Sequence, residues 1–102
     1  MSGTDPARPA PDADTLTIYT TDRCGDCVAT KRALDAAGVP FREVDITHDE
    51  KAARYVQQVN DGRRSVPTLA YGGTAVSLSN FSKRRLDAYL AQVGLRSAAN
   101  EA

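Results

Sequence analysis

Cys24-Gly25-Asp26-Cys27 sets two thiols three positions apart at the point where a strand pattern gives way to a helix pattern. Leu16-Thr17-Ile18-Tyr19-Thr20 has the β-branched and aromatic character of a strand, and after it Leu34 and Ala37 continue, at helical spacing, the face that Cys27 begins. With Cys27 in the first helical turn and Cys24 just before it, their Cα separation is expected within the roughly 4.4–6.8 Å that a disulfide tolerates. A dithiol so placed reads as a redox site. Cys24 meets the unpaired N–H groups and the positive dipole end of the helix, so its thiolate should form near neutral pH, which makes it the expected nucleophile. Cys27, one turn deeper, is the expected resolving thiol. Arg23 adds a cation that lowers the Cys24 pKa, and Asp26 adds an anion that raises it. The competing readings of the motif are half a zinc site or two inert core thiols. Zinc needs about four ligands, and the chain offers no further cysteine and only His48, so no metal is expected.

At 102 residues the chain is one domain, long enough to bury a core without disulfide staples, which leaves both cysteines free for chemistry. Its 13 basic and 13 acidic side chains cancel, so neither nucleic acid nor a membrane surface is an expected partner. No apolar run approaches the roughly 18 residues of a spanning helix, and the start of the chain lacks the apolar core of a signal peptide. A cytoplasmic location follows as the expectation, and a reducing cytosol is where a lone CxxC is more often catalytic than structural.

Residues 1–14, with Pro6, Pro9 and Pro11 among small and polar residues, read as a disordered tail, and residues 96–102 as a frayed end. Between them lies a domain at 15–95. Gly38-Val39-Pro40 stops the first helix, and Phe41-Arg42-Glu43-Val44-Asp45 alternates as a second strand, completing a βαβ unit with two parallel strands. A second helix is expected from about Asp49 to Val59, with Thr47 as its cap and Ala52, Val56 and Val59 buried, ending near Asn60-Asp61-Gly62. Thr68-Leu69-Ala70-Tyr71 and Thr74-Ala75-Val76-Ser77-Leu78 flank Gly72-Gly73, a two-residue turn free to take positive φ at both positions, and so form an antiparallel hairpin. A last helix runs from about Ser82, its cap, to Val93, burying Leu86, Tyr89, Leu90 and Val93, with Gly94 as its stop.

The order β-α-β-α-β-β-α, with CxxC at the first helix and Ser65-Val66-Pro67 before a Gly-Gly hairpin, resembles the glutaredoxins of the thioredoxin-like superfamily. Among them it looks most like the mycoredoxins of actinobacteria. The likeness runs from about Leu16 to Gly94 and rests on Tyr19-Thr20-Thr21, Cys24-Gly25-x-Cys27, Val44-Asp45-Ile46 with His48, Val59-Asn60 with Gly62, and Val66-Pro67-Thr68. It implies an α/β fold of three layers, a four-stranded mixed sheet with three helices, and a cis bond before Pro67. It also implies thiol-disulfide exchange with no bound cofactor, a low-molecular-weight thiol (mycothiol, bacillithiol or glutathione) as co-substrate, and disulfide-containing or S-thiolated client proteins as partners. A monomer is expected.

The family usually carries aromatic residues where this chain has Arg23 and Asp26, which makes the entrance to the site more charged. Glutathione-using members resemble one another in a Gly-Gly-Cys/Ser-Asp segment that binds the γ-glutamyl end. The matching stretch here is Ser79-Asn80-Phe81-Ser82, without the acidic residue. Ser79 and Asn80 are therefore candidates to hydrogen-bond the sugar of a thiol such as mycothiol. The resemblance sets the backbone of Val66, before Pro67, beside the cysteines, where it pairs edgewise with an extended substrate. Arg63 and Arg64 are candidates for a substrate carboxylate or polar headgroup, weighed against simple solvation. His48 reads as part of the entry to the second helix, and Tyr19 and Tyr55 read as core aromatics. Of Lys31 and Arg32, one is expected to flank the site. Two other functions stay open: a thioredoxin-like electron donor to a protein such as ribonucleotide reductase, which would depend on Cys27, and an iron–sulfur carrier, whose known CGFS pattern Cys27 breaks.

Overall fold

Strand β1 (Leu16–Thr20) is buried at every one of its positions. A strand open on one face would alternate, so continuous burial means cover on both faces and a neighbour on each edge. The structure, a computed structural model, describes residues 15–95 and shows that arrangement. The expected tails at 1–14 and 96–102 lie outside the described residues. Strand β2 (Phe41–Asp45) runs parallel to β1, with Leu16 opposite Phe41 and Thr20 opposite Asp45. On the other edge, β3 (Thr68–Tyr71) runs antiparallel, with Ile18 opposite Leu69, and β4 (Thr74–Ser77) closes the sheet in the order β2-β1-β3-β4. Gly72 and Gly73 make the hairpin turn with φ of 58° and 88°, values that side chains resist and glycine accepts.

The two-residue period of the strands divides the core between the two faces of the sheet. Leu16, Ile18 and Leu69 pack with Leu34 of α1 (Gly25–Ala36) and with Leu86, Tyr89 and Leu90 of α3 (Lys83–Gln92). Tyr19 and Ala70 point the other way and pack with Ala52, Ala53 and Val56 of α2 (Glu50–Val59). The result is the expected three-layer α/β fold with a mixed four-stranded sheet and three helices. The Tyr19 and Tyr55 rings meet at 5.3 Å between centroids, and burial raises both phenol pKa values.

Two expectations about α2 need correction. Its cap is Asp49, whose carboxylate accepts the Ala52 N–H at 3.0 Å, and not Thr47. Thr47 belongs instead to a 3₁₀ turn (Ile46–His48), where its N–H donates to Asp45 at 2.8 Å. Two aspartates four residues apart each cap their own element, and the hydroxyl between them serves the Asp22 N–H instead of a helix end. Val59 is 40% exposed, and Ala53 takes the buried place expected for it. Val59 shares a helix face with Ala52 but is the last residue of the helix. Helix α3 starts at the Ser82 cap, which accepts the Arg85 N–H at 3.3 Å. It stops one residue early, with Val93 half-buried and Gly94 at φ 81°. The Val66–Pro67 bond is cis.

Candidate active site

The central strand delivers the chain to the site. After Thr20 a three-residue loop, pinned by the Asp22 N–H donating to Thr47 Oγ1 at 3.3 Å, leads into Cys24, which is the N-cap of α1. Cys24 has extended backbone (φ −107°, ψ 103°), and its sulfur accepts the N–H of Cys27 at 3.0 Å. The cysteine thus does what a serine or aspartate does at an N-cap, with an orphan helix donor aimed at sulfur. A thiolate there is stabilised by that N–H and by the helix dipole. The two sulfurs are joined as a disulfide across a Cα separation of 5.2 Å, so the pair opens and closes between one cap and one first-turn residue. Cys27 is 2% exposed, whereas Cys24 is half-buried, so an outside sulfur meets Cys24 first. Arg23 is exposed at φ 58°.

A cavity of about 450 Å³ opens beside the dithiol, lined among others by Arg23, Cys24, Cys27, Lys31, Glu43 and Asp45. At its far wall Glu43 accepts the Thr20 hydroxyl at 2.8 Å and the Lys31 ammonium at 2.9 and 3.1 Å. The Lys31 hydrogen bond, helped by Thr20, holds the Glu43 carboxyl below the usual range against the opposing effect of burial. Asp45, bonded to Thr47, is likewise held low. Lys31 is therefore the member of the Lys31 and Arg32 pair that flanks the site, and Arg32 is exposed.

The turn around Pro67 is fixed by its own hydrogen bonds. Asn60 Nδ2 donates to Val56 O at 2.7 Å and to Thr68 Oγ1 at 3.0 Å, and Thr68 Oγ1 in turn donates to Ser65 O at 2.7 Å. The Ser65 and Ser77 hydroxyls share a hydrogen bond, and the Leu78 N–H donates to Pro67 O at 2.8 Å. The turn is thus tied to α2 and to β4. Pro67 is buried, Val66 half-buried, and Arg63 and Arg64 are exposed on the approach, where the Arg63 N–H bonds Asn60 O at 3.1 Å.

The turn between β4 and α3 meets the first turn of α1; its Ser79 and Asn80 are exposed, and Asn80 has φ 61°. Asp26 reaches across to it and accepts the Asn80 N–H at 2.9 Å and the Phe81 N–H at 3.3 Å. Arg85 grips the same turn from behind, donating to the carbonyls of Ser77, Ser79 and Asn80. The structure thus sets Arg23 in the cavity lining with both cysteines and ties Asp26 to the turn that holds Ser79 and Asn80, while Arg63 and Arg64 are exposed on the loop before Val66. Sequence reasoning missed the Glu43 carboxylate and the Arg85 clamp. Glu43 was legible only as a strand residue, and its pairing with Lys31 depends on how α1 crosses the sheet. Arg85, three residues after the cap, carried no signal.

The glutaredoxin family model matches residues 16–76, a segment that holds both cysteines and the turn at Pro67. The chain belongs to the glutaredoxin family. This glutaredoxin is 42% identical over 78 residues to a Mycobacterium tuberculosis protein carrying the glutaredoxin name, covering 76% of this chain and 92% of that one. It is 43% identical over 56 residues to mycoredoxin 1 of Corynebacterium glutamicum, covering 55% of this chain and 68% of the relative. Among solved structures, a thioredoxin-like protein superposes with a TM-score of 0.62 at 27% identity, over 72% of this chain and 97% of that one. The solution structure of a glutaredoxin from Brucella melitensis gives the same TM-score, 0.62, at 22% identity, over 84% of this chain and 91% of that one, a likeness of fold. As a family member the chain is a thiol-disulfide oxidoreductase with a Cys24–Cys27 pair and a low-molecular-weight thiol as co-substrate. Among the described residues no cluster of metal-ligating side chains is found, and no helix is long and apolar enough to cross a membrane.

Proposed function

We propose that this glutaredoxin releases small thiols from S-thiolated client proteins, with Cys24 as the attacking group and a sugar-linked thiol of the mycothiol kind as the electron source. The observation that carries the reading is the asymmetry of the pair: Cys24 half-buried with a helix N–H at 3.0 Å from its sulfur, Cys27 2% exposed beneath it. The Cys24 thiolate attacks the small-thiol sulfur of the mixed disulfide, and the client leaves as its thiolate and takes up a proton. Cys24 then carries the small thiol. A second small thiol attacks that sulfur, frees Cys24 and departs as the symmetric disulfide; alternatively Cys27 attacks Cys24, expels the small thiol and closes the ring, which two further thiols reopen. The 5.2 Å Cα separation favours ring closure as a competing route, and with it a dithiol donor role towards protein disulfides.

The substrate side of the reading rests on the neighbouring turns. The register of β3 begins with Thr68 opposite Tyr19, so Val66 lies just ahead of the ladder and is suited to pair with an extended client backbone. Ser79 and Asn80 offer uncharged hydrogen-bonding groups, which match a polyhydroxylated thiol. Arg63 and Arg64 remain within the proposed binding surface as cations for a client or headgroup. We place the protein in the cytoplasm, working as a monomer. Cys24→Ser should abolish exchange with every substrate, whereas Cys27→Ser should keep the reaction coupled to a small thiol. Turnover of an S-mycothiolated peptide by the two variants tests this. Equal loss in both would replace the monothiol route by the dithiol donor role.

A further inference from the structure

The geometry points to Asp26 as a built-in plug that turns away small thiols presenting a free carboxylate. This rests on the reading that a low-molecular-weight thiol is the co-substrate, and it names which chemical class the site refuses. Two successive backbone N–H groups, those of Asn80 and Phe81, converge on one spot beside the dithiol, with Asn80 in the left-handed region at φ 61°. Converging main-chain donors of this kind form a concavity that binds anions. The anion seated there belongs to the chain itself: Asp26 Oδ2 at 2.9 Å from the Asn80 nitrogen and Oδ1 at 3.3 Å from that of Phe81.

The turn has no slack to offer a second anion. Its carbonyls at Ser77, Ser79 and Asn80 are taken by Arg85 at 3.2, 2.7 and 2.8 Å, so the turn is braced on its carbonyl side while its two N–H groups are engaged by one carboxylate. An incoming carboxylate must displace Asp26, which then stands unpaired beside a like charge. An amide or a hydroxyl brings no such repulsion. Asp26 directly precedes Cys27 and is two residues from Cys24, so the donors it occupies are within reach of a small thiol held on Cys24. Asp26 is in these terms a specificity-determining residue that acts through the Asn80–Phe81 donors, and an uncharged side chain at that position opens them.

The test compares S-methylglutathione, which keeps its carboxylates and cannot exchange disulfides, with its diamide. Each is titrated into the wild-type protein, Asp26→Ala and Asp26→Asn while the backbone amide resonances of Asn80 and Phe81 are followed. Wild type should show no preference for the carboxylate form. Asp26→Ala should bind that form about tenfold or more tighter than the diamide, equivalent to about 1.4 kcal/mol, with the two amides moving most. Asp26→Asn, which retains one acceptor oxygen, should fall between and answers the question if Asp26→Ala does not fold. Equal binding of the two forms by the folded variants overturns the inference, as does a carboxylate preference already present in the wild type. A merely structural loss would weaken both forms alike and leave their ratio unmoved. Failure of the small-thiol reading would show separately, as no turnover of an S-thiolated peptide with any small thiol.

Discussion

Thr68→Val is the sharpest probe of what holds the Val66–Pro67 turn in place. Thr68 is fully buried, and its hydroxyl both donates to Ser65 O and accepts from Asn60 Nδ2. Valine has the same shape, so the change removes two hydrogen bonds and creates no cavity. A net hydrogen bond contributes about 0.5–1.5 kcal/mol, which makes the direct loss roughly 1–3 kcal/mol. Ser65 and Asn60 are half-buried, so their stranded groups recover part of their solvation, and a total of about 2–3 kcal/mol is expected. For a chain of this size that lowers Tm by roughly 10–20 °C. Urea unfolding followed by circular dichroism measures the loss, and an unchanged slope with denaturant shows that the unfolded state is not the cause. Asn60→Ala breaks one half of the same relay, so the double variant should lose less than the sum of the singles. A loss below about 0.5 kcal/mol for Thr68→Val would refute the reasoning and make the relay ornamental.

Two further outcomes bear on electrostatics. Glu43 has its pKa lowered by Lys31 and Thr20, so its contribution is complete above the unfolded carboxyl value, near 4.5, and is lost as pH falls through the lower folded value. Glu43→Gln should therefore flatten the acid limb of the stability curve below about pH 4.5 by less than about 1 kcal/mol, since the pair is well exposed; a limb identical to wild type in urea midpoints would show that the pair contributes nothing. Arg23→Ala should raise the Cys24 pKa in the reduced protein by less than about 1 unit, measured by thiolate absorbance against pH. An unmoved value there would leave the helix N-terminus as the whole cause of thiolate stabilisation.

Most of the fold was legible because local chemistry and global arrangement agree. Gly72-Gly73 can only serve a tight hairpin, Ser82 and Gly94 bracket the last helix, and Cys24 stands at a helix entry that any strand-to-helix junction creates. What the linear pattern hid lies where two local signals compete or where partners are far apart. Asp45, Thr47 and Asp49 all qualify as caps, and only the inserted 3₁₀ turn decides among them. Asp26 reads in sequence as an anion beside Cys24, yet its carboxylate is engaged by N–H groups 54 and 55 residues away. Lys31 and Glu43 find each other only after α1 has crossed back over β2.

The sheet's outer strands bear on the company this protein keeps. Among the described residues, strands β2 and β4 each leave one row of main-chain groups facing outward, which in an unguarded sheet templates growth by a passing extended chain. Strand β2 sets Arg42, Glu43 and Asp45 within five residues, and β4 is four residues long. Charge on one border and brevity on the other deny a newcomer a flat, apolar rail to zip along. A thiol-disulfide oxidoreductase with such borders can approach an extended chain without offering it a sheet edge to extend.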